Sequence, residues 1–134
     1  MMAARILIVE DNQANLELAE YLFKTFGYAT VTARDGQEGI RAARLTNPDL
    51  IVCDLQMPIM NGYEVVREVL KDPLLRRVPV IAVTALSMPG DREKILSAGF
   101  KGYLSKPIDP ETFVQTIAKF LPPELRTRQA MDNI

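Results

Sequence analysis

Three short apolar runs constrain this chain more than any other feature. Ile6-Leu7-Ile8-Val9, Leu50-Ile51-Val52-Cys53 and Val80-Ile81-Ala82-Val83 contain no charged residue, and each stops at a polar one. Uninterrupted runs of this length, bounded by Pro or polar loops, read as strands buried on both faces. Helical patterns stand between them. Leu16, Ala19, Leu22, Phe23 and Phe26 give residues 13–26 one apolar face, with Asn12 as cap and Gly27 at the end. A short β-branched strand over 28–32 leads through the turn Arg34-Asp35-Gly36 into a helix over 37–46 carrying Ile40, Ala43 and Leu45, which Pro48 stops. Tyr63, Val66, Val69 and Leu70 mark a helix over 62–71, broken by Asp72-Pro73. Pro89 suits the first position of a helix over 89–98 closed by Gly99. A fifth strand over 101–104 follows. Asp109 then caps, and Pro110 opens, a helix over 110–120 with Phe113, Ile117, Phe120 and Leu121 inward. Pro122-Pro123 ends the domain, which leaves residues 4–121 as one domain and 122–134 as a short tail. Strands alternating with helices in this way imply an α/β, doubly wound parallel sheet with helices on both faces and right-handed crossovers.

Parallel strands all point one way, so the polar residues at their ends gather at one edge of the sheet, where open α/β sheets place ligands. The first strand brings Glu10 and Asp11, the third Asp54, the fourth Thr84 and the fifth Lys106. Taken singly, Asp54 could be a turn former, Thr84 a helix cap, Lys106 a solvated loop lysine, and Glu10-Asp11 a pair favouring a helix start. Together they form a set. Carboxylates crowded in this way repel one another without a cation. An oxygen-only cluster of Glu10, Asp11 and Asp54 suits Mg²⁺, which binds through one or two carboxylates plus waters and phosphate oxygens. A cation also keeps Asp54 ionised and nucleophilic, while Lys106 and the Thr84 hydroxyl offer a charge and a donor to an oxyanion. This set describes a site that accepts a phosphoryl group as an aspartyl phosphate.

Composition narrows the chemistry. The chain has no His, which excludes Ser-His, Cys-His and zinc-His sites and leaves any metal to oxygen ligands. Sixteen Lys and Arg stand against 17 acids, so no basic excess points to nucleic acid. The lone Cys53 lies inside an apolar run, as a buried structural thiol in a reducing compartment. No signal-peptide pattern and no membrane-length apolar run occurs, and the expected location is cytoplasmic.

Ile8-Val9-Glu10-Asp11-Asn12, Asp54-Leu55-Gln56-Met57-Pro58-Ile59-Met60-Asn61-Gly62, Val83-Thr84-Ala85 and Lys106-Pro107 resemble, in order and spacing, the motifs of the receiver (chemotaxis-regulator-like) domain of two-component response regulators. The resemblance spans about residues 4–121 and implies the flavodoxin-like strand order 2-1-3-4-5. Carried over position by position, Asp54 is the phosphoacceptor. Asp11 is a direct Mg²⁺ ligand, Glu10 acts through water, and the Gln56 backbone carbonyl is a further ligand. Thr84 is the switch hydroxyl, Lys106 pairs with the phosphoryl group, Lys106-Pro107 is a cis peptide, and Tyr103 is the aromatic that swings inward. The implied donor is a phosphohistidine on a sensor histidine kinase or histidine phosphotransfer protein, and the phosphate shifts an existing equilibrium of the fourth helix and fifth strand. Gln56 and Leu86 occupy positions that tune dephosphorylation in the family. A large Leu86 is expected to hinder water and prolong the phosphorylated state.

The tail is too short for an effector domain. Output is therefore expected by contact with a downstream protein through the fourth helix, fifth strand and fifth helix, with Met88, Arg92, Ile95, Lys101, Tyr103 and Val114 exposed. Alternatives are the receiver half of a longer protein cut at Pro122-Pro123, and a receiver fold that binds partners without phosphorylation. A flavodoxin-type FMN binder is disfavoured because Glu10-Asp11-Asn12-Gln13 would repel a phosphate. A haloacid-dehalogenase-type phosphatase is disfavoured because Asp11 is followed by Asn12 and Gln13 rather than by a second Asp two residues on.

Overall fold

A computed structural model describes residues 3–85 and 88–127. Its five parallel strands are β1 (Arg5–Val9), β2 (Ala29–Ala33), β3 (Leu50–Asp54), β4 (Val80–Thr84) and β5 (Gly102–Ser105), in the order β2-β1-β3-β4-β5. The helices are α1 (Gln13–Thr25), α2 (Gly36–Thr46), α3 (Gly62–Lys71), α4 (Asp91–Ala98) and α5 (Phe113–Ala118). The expected architecture and strand order are both present.

Strand alternation explains the apolar runs. Ile6 and Ile8, Leu50 and Val52, and Ile81 and Val83 enter the core under α1 and α5 with Phe23 and Phe113, whose rings meet edge-on at 5.4 Å. Leu7 and Val9, Ile51 and Cys53, and Val80 and Ala82 face the other core with Val66, Val69 and Ile95. Both faces are covered, so neither parity tolerates a polar residue until the strand ends. Cys53 is fully buried there, and burial pushes its thiol far above the ordinary range, which makes it a packing residue.

Helix ends account for most differences from the sequence reading. Asn12 caps α1 through a bond from the Asn15 N–H, and Asn61 forms a reciprocal capping box with Glu64 on α3. Pro89 does not open α4. Gly90, at φ 89°, and a bond from the Met88 N–H to the Asp91 carboxylate keep residues 88–90 in a turn, and the helix starts at Asp91. Likewise Pro110 does not open α5, because Asp109 caps a separate turn through the Glu111 N–H and the helix begins at Phe113. Leu45, grouped with Ile40 and Ala43, is 78% exposed, since residues two apart on a helix do not share a face. Phe120, assigned inward, is partly exposed, as is Leu70 on α3. Tyr28 precedes β2 and is buried, its hydroxyl accepting from the Thr127 N–H. Residues 123–125 add a single 3-10 turn.

Candidate functional site

The carboxyl ends of β1, β3, β4 and β5 meet at one edge of the sheet. Register fixes the meeting, since Val9 pairs with Cys53, Asp54 with Val83 and Thr84 with Ser105. Glu10 and Asp54 are each only 5% exposed, and Thr84 is buried. Oxygens of Glu10, Asp11 and Asp54 lie within 4.8 Å of one another. Lys106 Nζ stands between two of these carboxylates, 3.0 Å from Glu10 Oε1 and 3.2 Å from Asp54 Oδ2. Backbone donors hold the remaining oxygens. The Asn12 N–H reaches Glu10 Oε2 at 3.1 Å, and the Gln56 N–H reaches Asp54 Oδ1 at 3.2 Å. The Lys106 N–H donates to the Thr84 carbonyl at 2.8 Å, which ties Lys106 to the end of β4; the Lys106-Pro107 bond is cis.

The loop between β3 and α3 closes tightly. The Gly62 N–H donates to the Leu55 carbonyl at 3.0 Å, so the start of α3 lies directly on the end of β3. Ile59 in this loop has φ 71°, a left-handed conformation in which a β-branched side chain is strained, and its side chain is exposed.

Burial pushes the Glu10 carboxyl from its ordinary 4.5 up to about 7; the bonds from Asn12 and Lys106 oppose this, and the nearby Asp54 charge adds to it. For Lys106, burial disfavours the charge, but the bond to Glu10 and the fields of Asp54 and Glu10 outweigh it and the net shift is upward. The Glu10 shift makes a stability prediction. A folded-state carboxyl that titrates above its unfolded value holds its proton in the fold after the unfolded chain has lost it. Stability contributed below pH 4.5 is therefore lost as pH rises toward about 7. Without divalent cations, Glu10→Gln should abolish that loss and unfold with ~2 kcal/mol more stability at pH 8 than the parent. Urea unfolding at pH 5 and pH 8 checks this, and equal pH dependence in both chains would contradict it.

All donors here are oxygens, they converge, and two of the three carboxylates are largely withdrawn from water. That donor set fits a small hard cation and is wrong for zinc or copper. The geometry brings together Glu10, Asp11, Asp54, Gln56, Thr84 and Lys106, as the sequence reading requires. Tyr103, 37% exposed, instead stands outside on β5, where it borders a 380 Å³ cleft with Met88, Arg92 and Ser105. Leu86 lies outside the described residues. Asn15, on the first turns of α1, was not singled out from the sequence, yet it lines a small void with Glu10 and Asp54. Its place three residues past the cap Asn12 is the signal that could have found it.

Residues 6–118 match the response regulator receiver domain family. The chain belongs to that family. This receiver domain is 43% identical over 120 residues to the polar-differentiation response regulator DivK of Brucella ovis, across 90% of this chain and 98% of that protein. Among solved structures it is similar to the chemotaxis protein CheY4 of Vibrio cholerae, with 29% identity and a TM-score of 0.84 over 89% of this chain and 99% of that one. It is also similar to the receiver domain of a sensor histidine kinase from Pseudomonas aeruginosa, which has a magnesium ion coordinated in its active-site cleft; identity is 35% and the TM-score 0.80, over 88% of this chain and 97% of that one. Receiver domains are signalling modules of two-component systems rather than a classical enzyme family. No helix among the described residues is long and apolar enough to cross a membrane.

Proposed function

We propose that this receiver domain takes a phosphoryl group from a partner phosphohistidine onto Asp54 and signals through protein contact. One observation carries the proposal: a buried carboxylate at a strand end, held by Lys106 and the Gln56 N–H, beside two further acids. In the transfer, an Asp54 oxygen attacks phosphorus, the phosphorus–nitrogen bond breaks, and its electron pair stays on the imidazole nitrogen, which takes a proton. Asp11 and Asp54, with the Gln56 carbonyl and Glu10 through water, would hold Mg²⁺, which when bound screens the negative charge that accumulates as donor and acceptor approach. Lys106 pairs with Asp54 before transfer and turns to the phosphoryl oxygens afterwards. Thr84 is the hydroxyl that follows it.

The signal then passes to α4 and β5. One residue of α4, Ile95, is buried, and the helix has no side-chain N-cap bond, so little holds it in place. The exposed residues of that face differ from the expected ones. Ile95 and Val114 are buried and leave it, because each faces the sheet. Lys101 sits at the opposite end of β5, which leaves Met88, Arg92 and the outward Tyr103.

Metal removal tests the chemistry. With acetyl phosphate and Mg²⁺, the intact mass should rise by one phosphoryl group, and chelation should prevent the rise. No adduct with Mg²⁺ would move the assignment to a binding module that works without phosphorylation.

A further inference from the structure

The edge of the sheet opposite the carboxylates carries a cleft of about 570 Å³. Pro79, Phe120 and Pro122 line it together with three cations, Arg77, Lys101 and Lys119, and no carboxylate does. Among the described residues none of the three cations is in an ion pair. In a chain whose net charge is -1, three unpaired cations around one apolar floor are a local reversal of sign.

The simplest structural role for such cations is to complement helix C-termini. That role is taken here by Arg126, whose Nε donates to the Leu121 carbonyl and Nη2 to the Lys119 carbonyl just past α5. Lys101 precedes a strand, and Arg77 lies beyond the turn after α3, so neither ends a helix. The floor is also built. Phe120 lies on Gly102, where a Cβ would stand 2.5 Å from its Cζ, so the glycine leaves room for the ring over the start of β5. The ring stays 37% exposed.

We propose that this cleft docks an acidic segment of a partner protein, its carboxylates meeting Arg77, Lys101 and Lys119 and an apolar side chain covering Phe120. Nucleic acid fits less well, because three cations on a chain of net charge -1 make a short positive stripe. β4 and β5 enter the sheet here and leave it at Thr84 and Ser105, so a segment docked at this edge leaves the carboxylate edge open. The docking is independent of the phosphoryl chemistry proposed above.

The test uses the full chain and a short fluorescein-labelled peptide rich in glutamate with a central Phe-Leu pair, followed by anisotropy and by amide shifts. Binding should weaken with added salt and fall about tenfold in Lys101→Glu/Lys119→Glu. The shifts should centre on Arg77, Lys101, Lys119 and Phe120, and the double variant should keep the parent's thermal midpoint and phosphoryl uptake. No peptide binding, equal binding to the charge-reversed chain, or shifts elsewhere would overturn the proposal. So would a labelled oligothymidylate that binds more tightly than the peptide, which would assign the cleft to nucleic acid.

Discussion

After incubation with acetyl phosphate and Mg²⁺, Asp54→Asn is expected to stay at its unmodified mass while the parent chain gains one phosphoryl group. An amide has no charged oxygen to attack phosphorus, so the rate of uptake should fall by on the order of 10³ or more. The substitution is otherwise mild. Asn keeps the side-chain shape, its oxygen can still accept from the Gln56 N–H, and Lys106 keeps Glu10 at 3.0 Å. Losing the Lys106–Asp54 pair costs stability, while losing the repulsion between Asp54 and Glu10 returns some of it. The thermal midpoint should therefore move little, and circular dichroism separates a failed fold from a missing nucleophile. Uptake by the variant at the parent's rate would place the acceptor on another carboxylate and end the assignment to Asp54.

Gly62→Ala should lower stability by about 3 kcal/mol and slow phosphoryl uptake with it. A Cβ at this position would stand 2.5 Å from the Asp54 carbonyl oxygen and 2.8 Å from Leu55 Cα. Both are backbone atoms, so no rotamer change relieves the clash, and the start of α3 must move away from β3. The Gln56 N–H that holds Asp54 lies between these elements, which couples the packing fault to the site. Urea denaturation measures the first effect and intact mass over time the second. Parent-like values for both would mean that the loop accommodates a methyl group without moving α3.

These two positions differ in how far the sequence reveals them. Asp54 was legible because the apolar run before it has no polar residue at either parity. Gly62 was legible as the end of the motif that starts at Asp54 and the start of the next helix, but its contact with the Asp54 carbonyl depends on how α3 docks. Helix starts were the weakest part of the reading. Pro89 and Pro110 are good first residues in isolation, yet bonds from the Met88 and Glu111 N–H groups to the Asp91 and Asp109 carboxylates closed separate turns around them. Ile95 and Leu96 show the same limit. Neighbouring helix residues point about 100° apart, and packing turned Ile95 into the core and left Leu96 partly exposed.

The sequence by itself determined the layers, the strand ends and the gathering of Glu10, Asp11, Asp54, Thr84 and Lys106 at one edge. Short uninterrupted apolar runs between helical patterns call for strands buried on both faces, and parallel strands share one direction. Only the tertiary structure decided which groups lose water and which partners they find. Burial pushes the Glu10 carboxyl up to about 7, and the Asp54 charge that β3 brings beside it adds to the shift against the bonds from Asn12 and Lys106. The cations at the opposite edge form a cleft because Phe120 lies on Gly102. Desolvation and through-space charge depend on distances between residues far apart in the chain, and no local pattern encodes those distances.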